Sequence, residues 1–570
     1  MGPARLCMLK FIRNRMWRGG SPLLDLAGVR ISTLILGTFG NLTVTSRTSG
    51  FWCRPSQRPP GTGSLVLSAM LLALFPDPAL AHAFGQRYDL PLPLWMFVTG
   101  GAAAVFLSFL VIALILKTDH APGDYPTFNL LRTPVGRFLA HPAMVEAVRV
   151  IFVFFFFLIV AAGYIGDPSP YNNISVVMVW VVAWVGLAFV CSLAGNFWAL
   201  INPWNALFRW GEKWVKRRNG GQDLSLNLPY PDGLGTWPAI IFFFVFAWME
   251  ITWPGAGVPG NVAVALSLYS GLTWLGMFLY GRELWLAKGE AFTVLYSLFA
   301  RFAVTEIRVR DREAVNGLVV YDIDDETQGC INGYGAFYKT SADQREWNLR
   351  LPGVGLRVAN MPSITLMFFV LILLSTVSYD GYTETAHFQD MSLLLYNQIS
   401  GLGQTAIRIV DTVVFLSFPL LFIAAYLVAM VLVGAVSGSL TKFDVIAPLF
   451  VFSIVPISIA YHLSHYISLL VFEGQLLIGR LSDPFGFGWD LFGTADYKVD
   501  LTLMSAKFVW FFSIIAIVAG HIAAVYLSHA EALRLYGSPA RALKSQIPMM
   551  VLMVAYTILS LWIIAQPIVS

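Results

Sequence analysis

Residues Ser175–Leu200 read SVVMVWVVAWVGLAFVCSLAGNFWAL, twenty-six positions without one Asp, Glu, Lys or Arg. A helix rising ~1.5 Å per residue needs ~20 such residues to cross the ~30 Å hydrocarbon core of a bilayer. The pattern recurs along the chain. Ten blocks approach that length: Leu94–Leu116, Ala147–Ile165, Ser175–Leu200, Trp237–Thr252, Asn261–Tyr280, Met361–Tyr379, Asp411–Val433, Ile446–Phe472, Phe508–Leu527 and Met549–Ala565. The fourth is short and leans on the aromatic residues around it. The spacing predicts an all-α integral membrane protein with about ten transmembrane helices, whose first partner is the lipid bilayer.

Composition agrees. Of 570 residues, 57% are hydrophobic and 12% are charged, half the ~25% charged share of soluble chains. That balance excludes a disordered chain, a disulfide scaffold and a nucleic-acid-binding module. The net charge of +4 belongs to Met1–Ala81, which holds nine Lys/Arg and two acids, whereas the remainder nets −3. A basic patch for nucleic acid is therefore not expected. The four cysteines, Cys7, Cys53, Cys191 and Cys330, form no CxxC and suggest no disulfide framework.

Residues 1–81 read as a basic leader and signal peptide. A Pro/Gly-rich stretch to Gly63 is followed by the short apolar core SLVLSAMLLALF and by Ala79-Leu80-Ala81, a small-residue cleavage pattern. The stretch before the core is also compatible with a later translation start, and the core with a retained N-terminal helix. Cleavage after Ala81 exposes His82, whose amine and imidazole together suit copper or zinc. Cleavage after Ala83 removes it.

Charge asymmetry orients the spans. With the mature N-terminus outside, the odd-numbered connections (Arg149 counted at the mouth of the second span) hold 23 Lys/Arg, against 5 on the other side. The positive-inside rule then puts both mature termini outside a bacterial inner membrane. The predicted organisation is a leader (1–81), helices one to five (82–304), a small polar cytoplasmic insert with strand character (305–360), and helices six to ten (361–570). Asn202-Pro203-Trp204 opens a stretch ending KWVKRR that reads as an interfacial helix. Gly289–Val304 is expected to lie along the membrane too. Asp322, Asp324 and Asp325 lack EF-hand spacing and read as a solvated turn.

Ionisable residues inside spans are costly and mark candidate sites. In PISIAYHLSHYISLL, His462 and His465 lie three apart on one helical face, flanked by Tyr461 and Tyr466. His521 lies in the ninth span and His529 at its end. Counting from the span centres separates His462 and His521 by ~9 Å in depth. Glu250 in FAWMEI and Asp380 in STVSYD fall in the same outer half as the histidine pair. A pocket of Glu250, Asp380, His462 and His465 has the imidazole–carboxylate character that suits zinc, manganese or iron. Hydrogen-bonded structural roles remain the alternative for each residue. Walker A, GxSxG, HExxH and GxGxxG contexts are missing from the sequence.

The segments HAFGQRYDLPLPLW, GEAFTVLYSLFARF, FAWMEI, AYHLSHY and GHIAAVYLSH resemble a bacterial family of multi-span membrane proteins named fenitrothion hydrolase. The upstream extension and the insert around Val319–Arg350 depart from it. The resemblance implies a phosphoric triester hydrolase that cleaves a small apolar organophosphorus substrate to a nitrophenol and a dialkyl thiophosphate. On that reading His462, His465 and a carboxylate hold a divalent metal that activates water, with Asp380, Glu250 and His521 as the remaining catalytic candidates. The competing expectation is a metal-ion or proton-coupled transporter, favoured by Pro448 and Pro456 within the eighth span.

Overall fold

The computed structural model describes residues 90–117, 125–309, 326–327, 330–332, 337, 340–358, 361–439 and 443–569. The leader, its cleavage pattern, His82 and the Asp322–Asp325 turn lie outside the described residues. Among the described residues nine helices are long and apolar enough to cross a membrane. The chain is an all-α multi-span membrane protein.

In chain order the helices are α1 (Leu94–Ile115), α2 (Pro142–Ile165), α3 (Ile174–Leu193), α4 (Pro203–Arg218), α5 (Trp237–Ile251), α6 (Pro259–Tyr280) and α7 (Ala291–Ala300). They continue as α8 (Ile364–Thr383), α9 (Ala386–Gln398), α10 (Gln404–Ser437), α11 (Val455–Phe472), α12 (Ala506–Tyr536) and α13 (Pro539–Val569). The expected fourth span is α5, whose 15 residues fall short of the ~20 needed to cross alone.

Packing does not follow chain order. Helix α1 lies against α12 and α13, so the first span joins the C-terminal helices, while α2 packs on α6. Close approach relies on small residues, because lipid gives helices no hydrophobic reason to associate. A Cβ on Gly520 of α12 would come within 2.5 Å of the Ala460 Cβ on α11.

Helix α7 is enclosed by the protein. Its sequence AFTVLYSLFA is apolar on every side, and a helix of that kind belongs inside. Seven of its ten residues are buried, and all of these but Ala300 belong to the same core cluster as the spanning helices. Helix α4 is amphipathic: Pro203, Trp204, Ala206 and Phe208 are buried, and the Trp204 indole donates to Ser270 Oγ of α6 at 2.7 Å.

A five-stranded antiparallel sheet, β1 (Phe128–Asn129), β2 (Thr305–Val309), β3 (Glu326–Thr327), β4 (Cys330–Asn332) and β5 (Arg345–Leu349), has the order β1-β5-β2-β4-β3. Arg350 bolts it to α7. The buried guanidinium pairs with Glu306 at 2.5 Å and donates to the carbonyls of Ala300, Arg301 and Ala303 at 2.9–3.1 Å. Those carbonyls lie at the end of α7, where a cation also meets the negative pole of the helix. Tyr125 donates to Glu306 at 2.7 Å, and burial, then the carboxylate, push its phenol up to about 12.

Removing Arg350 leaves Glu306 its second ion pair, with Arg308 at 2.7 Å, but strips the carbonyls of Ala300, Arg301 and Ala303 of their donor. Arg350→Ala is therefore expected to cost about 1–3 kcal/mol, the range for buried acceptors left unsatisfied, read as a lower thermal unfolding midpoint in detergent. Arg350→Lys recovers little, because an ammonium cannot span the same forked set of acceptors. A midpoint unchanged in Arg350→Ala would refute this account of the sheet's attachment.

Candidate functional site

The segment Phe443–Ser482 is a broken helix. Helix Phe443–Phe450 gives way to a 3₁₀ turn at Val451–Ile454, then α11, a second 3₁₀ turn at Glu473–Gln475 and a last helix, Leu476–Ser482. Pro456 stands in the first turn of α11, where its missing N–H leaves no bond unmade. From there Ser458, His462 and His465 follow at i, i+4 and i+7 on one face.

Asp380 lies in the last turn of α8, beside α11. His465 Nε2 is 2.9 Å from Asp380 Oδ2. An ionised carboxylate only accepts, so with Asp380 ionised this nitrogen carries the proton. The Tyr466 hydroxyl donates to the same Oδ2 at 2.7 Å and lies 3.4 Å from Glu250 Oε1. The Trp184 indole N–H donates to that Glu250 oxygen at 3.0 Å. Glu250, Tyr466, Asp380 and His465 thus form one hydrogen-bonded network drawn from α5, α8 and α11. The His465 and Asp380 side chains keep 16% and 19% of their surface exposed.

His462 is placed differently. It is 1% exposed, and neither ring nitrogen has a hydrogen-bond partner among the described residues. Trp184, Phe189, Phe299 and Tyr466 surround it with ring centroids 4.7–6.3 Å away. The Tyr466 ring is 4.7 Å from each imidazole. Tyr466 therefore lies beside both histidines, while His465 turns to Asp380. Among the described residues no group of three or more His, Cys, Asp or Glu is arranged to hold a metal ion.

His521 stays apart from the network. Its Nδ1 faces the Ile517 carbonyl at 2.8 Å, as in many buried helical histidines. Helices α11 and α12 are in register at Ser464 with Ser513 and at Pro456 and Ala460 with Gly520. That register sets His521 roughly five residues, or ~7.5 Å, along the axis from the level of His462. His529 Nε2 meets the Leu116 carbonyl at 3.3 Å and ties α12 to the end of α1.

Two participants escaped the sequence reading. Trp184 lay in an uncharged run, and only its place within a π-helical stretch, Val177–Gly186, distinguishes it; such stretches recur at functional sites. Glu290, fully buried, caps α7 by accepting from the amides of Phe292 and Thr293 at 2.9 and 2.8 Å. It also accepts from Tyr269 at 2.5 Å, from Asn202 at 3.3 Å and from the Thr293 hydroxyl. Its oxygens are saturated, so it holds the fold together.

Trp184→Phe preserves a ring against His462 and removes the N–H from Glu250. The loss of a hydrogen bond to a carboxyl is expected to cost about 1.5–3 kcal/mol in thermal unfolding. Stability equal to the parent would show that Glu250 gains nothing from the indole. No protein-family model, curated protein or solved structure matches the chain.

Proposed function

We propose that the chain is a proton-coupled membrane transporter whose coupling proton moves through Glu250, Tyr466, Asp380 and His465. The observation that carries this reading is a single hydroxyl between two carboxyl groups, 2.7 Å from one and 3.4 Å from the other. A phenol has one proton to give. When Glu250 holds a proton it becomes a donor to the Tyr466 oxygen, and the hydroxyl passes its own proton to Asp380. Asp380 and His465, each partly exposed, release it. Chains of Asp, Glu and His inside membranes are the usual means of moving protons. Interruption of the helix that carries His465 supports the same reading, since transport sites are built on discontinuous helices.

The distribution of Lys and Arg supports an inner membrane of a bacterium, with both mature termini outside and the sheet-bearing insert in the cytoplasm. On that orientation Asp380 and His465 open outward.

A second reading, hydrolysis of a small apolar organophosphorus triester, is favoured by the His465–Asp380 pair and by the resemblance to fenitrothion hydrolase. Asp380 fixes the imidazole, whose other nitrogen takes a proton from water. The water oxygen bonds to phosphorus as the bond to the aryl oxygen breaks, and nitrophenolate leaves. The sequence expectation of zinc, manganese, iron or copper is not required by this step.

Purified protein in vesicles containing a pH-sensitive dye distinguishes the readings. Under an imposed potassium diffusion potential, the parent is expected to acidify or alkalinise the lumen faster than protein-free vesicles, with the sign of the potential. Asp380→Asn is expected to lose at least ~10-fold of that rate, consistent with the ~10²–10⁴-fold reach of a positioned proton-transfer group. Proton movement no faster than in empty vesicles would contradict a proton path through Glu250, Tyr466, Asp380 and His465. Nitrophenolate release from a nitrophenyl dialkyl thiophosphate, abolished in His465→Gln, would select the hydrolase.

A further inference from the structure

We propose that His462 binds buried water that joins Ser458 and Tyr461 to the Asp380 network, prolonging the proton path by ~10 Å toward the Val455 end of α11. The inference rests on the proton-carrying reading for its purpose, but not for its geometry.

Both imidazole nitrogens of His462, the Ser458 Oγ and the Tyr461 hydroxyl are buried without a hydrogen-bond partner among the described residues. These four atoms belong to three residues within five positions of one helix. Neighbouring buried hydroxyls fare differently: Ser375 and Ser378 of α8 bond to the carbonyls of Ile372 and Leu374 at 2.8 Å. Folded proteins pair nearly all buried polar groups, and where protein atoms do not serve, ordered water does, with two to four polar partners each. A lone imidazole in an apolar hole would be replaced at no loss by leucine. Here the orphaned groups are stacked.

Their arrangement is linear. Ser458, His462 and His465 stand at i, i+4 and i+7, so each is one turn above the last. The uppermost already bonds Asp380. Tyr461 leans the same way: its hydroxyl occupies the space a Cβ on Gly381 would need, next to Asp380 in the chain. Water between His462 and these hydroxyls gives one proton as it receives another. No bond to carbon changes, and no oxidant or co-reactant is needed. The rings of Trp184, Phe189 and Phe299 pack around the His462 imidazole within the column.

Hydroxyl-radical footprinting with X-ray pulses on the full chain in detergent tests the inference, because radicals born from bound water oxidise the side chains beside it. Tyr426 is the reference: equally buried, its hydroxyl is spent on the Ala447 carbonyl at 2.6 Å. Tyr461 and His462 are expected to label several-fold faster than Tyr426. His462→Leu is expected to bring Tyr461 down to the reference rate, and His462→Asn, which keeps a polar partner for water, is expected to preserve it. Labelling of Tyr461 and His462 in the parent no faster than Tyr426 would overturn the water site, whatever the variants do. Fast labelling without proton movement in vesicles would leave the water site standing and remove the proton path.

Discussion

A carboxyl group within a bundle of apolar helices must find partners, and Asp380 sets the terms for everything near it. Leaving such a group bare costs several kcal/mol even where water and snorkelling soften the penalty. Its Oδ2 is met by an imidazole nitrogen at 2.9 Å and a phenol at 2.7 Å, both from α11. The two donors are neighbours in sequence, so one helix must approach α8 with a defined rotation. Gly381 permits that approach, and the 3₁₀ turn before α11 sets the angle at which the helix arrives. The same phenol reaches Glu250, and the short helix α5 is thereby drawn into the cluster.

The surrounding structure protects this polar centre. Helix α7 supplies Phe299 against His462, and it is held at both ends by ionic groups. Glu290 caps its start, and Arg350 gathers the carbonyls at its end. Through Arg350 and Glu306 the sheet outside the spans is tied to a helix that touches the site. Stability of the polar insert and integrity of the aromatic wall are therefore linked through one guanidinium.

Much of the architecture was legible in the sequence, because length and charge act locally. Uncharged runs gave the spans, and the short fourth block, already marginal, forms a helix of only 15 residues. Pro448 and Pro456 foretold the interruption of the eighth. The grouping of Glu250, Asp380 and His465 was legible as shared depth. What one helix cannot reveal is which neighbour each side chain meets. Spacing alone made His462 and His465 a matched pair, yet α8 offers a carboxyl to one while α3 and α7 offer only rings to the other. The burial of α7 was hidden for a related reason: its ten residues are too few to suggest a place among spans, and the side chains that enclose it come from distant parts of the chain. Trp184 and Glu290 acquire meaning only from partners distant in sequence.

The contact between Asp380 and His465 is the centre of the network. A double-mutant cycle on unfolding free energy in detergent, with Asp380→Asn, His465→Gln and the pair, measures it most directly. The expected coupling is about 1–3 kcal/mol, in the range found for directly bonded side chains. Additive losses, with no coupling beyond error, would mean that the two groups do not share a bond and that the network lacks its centre.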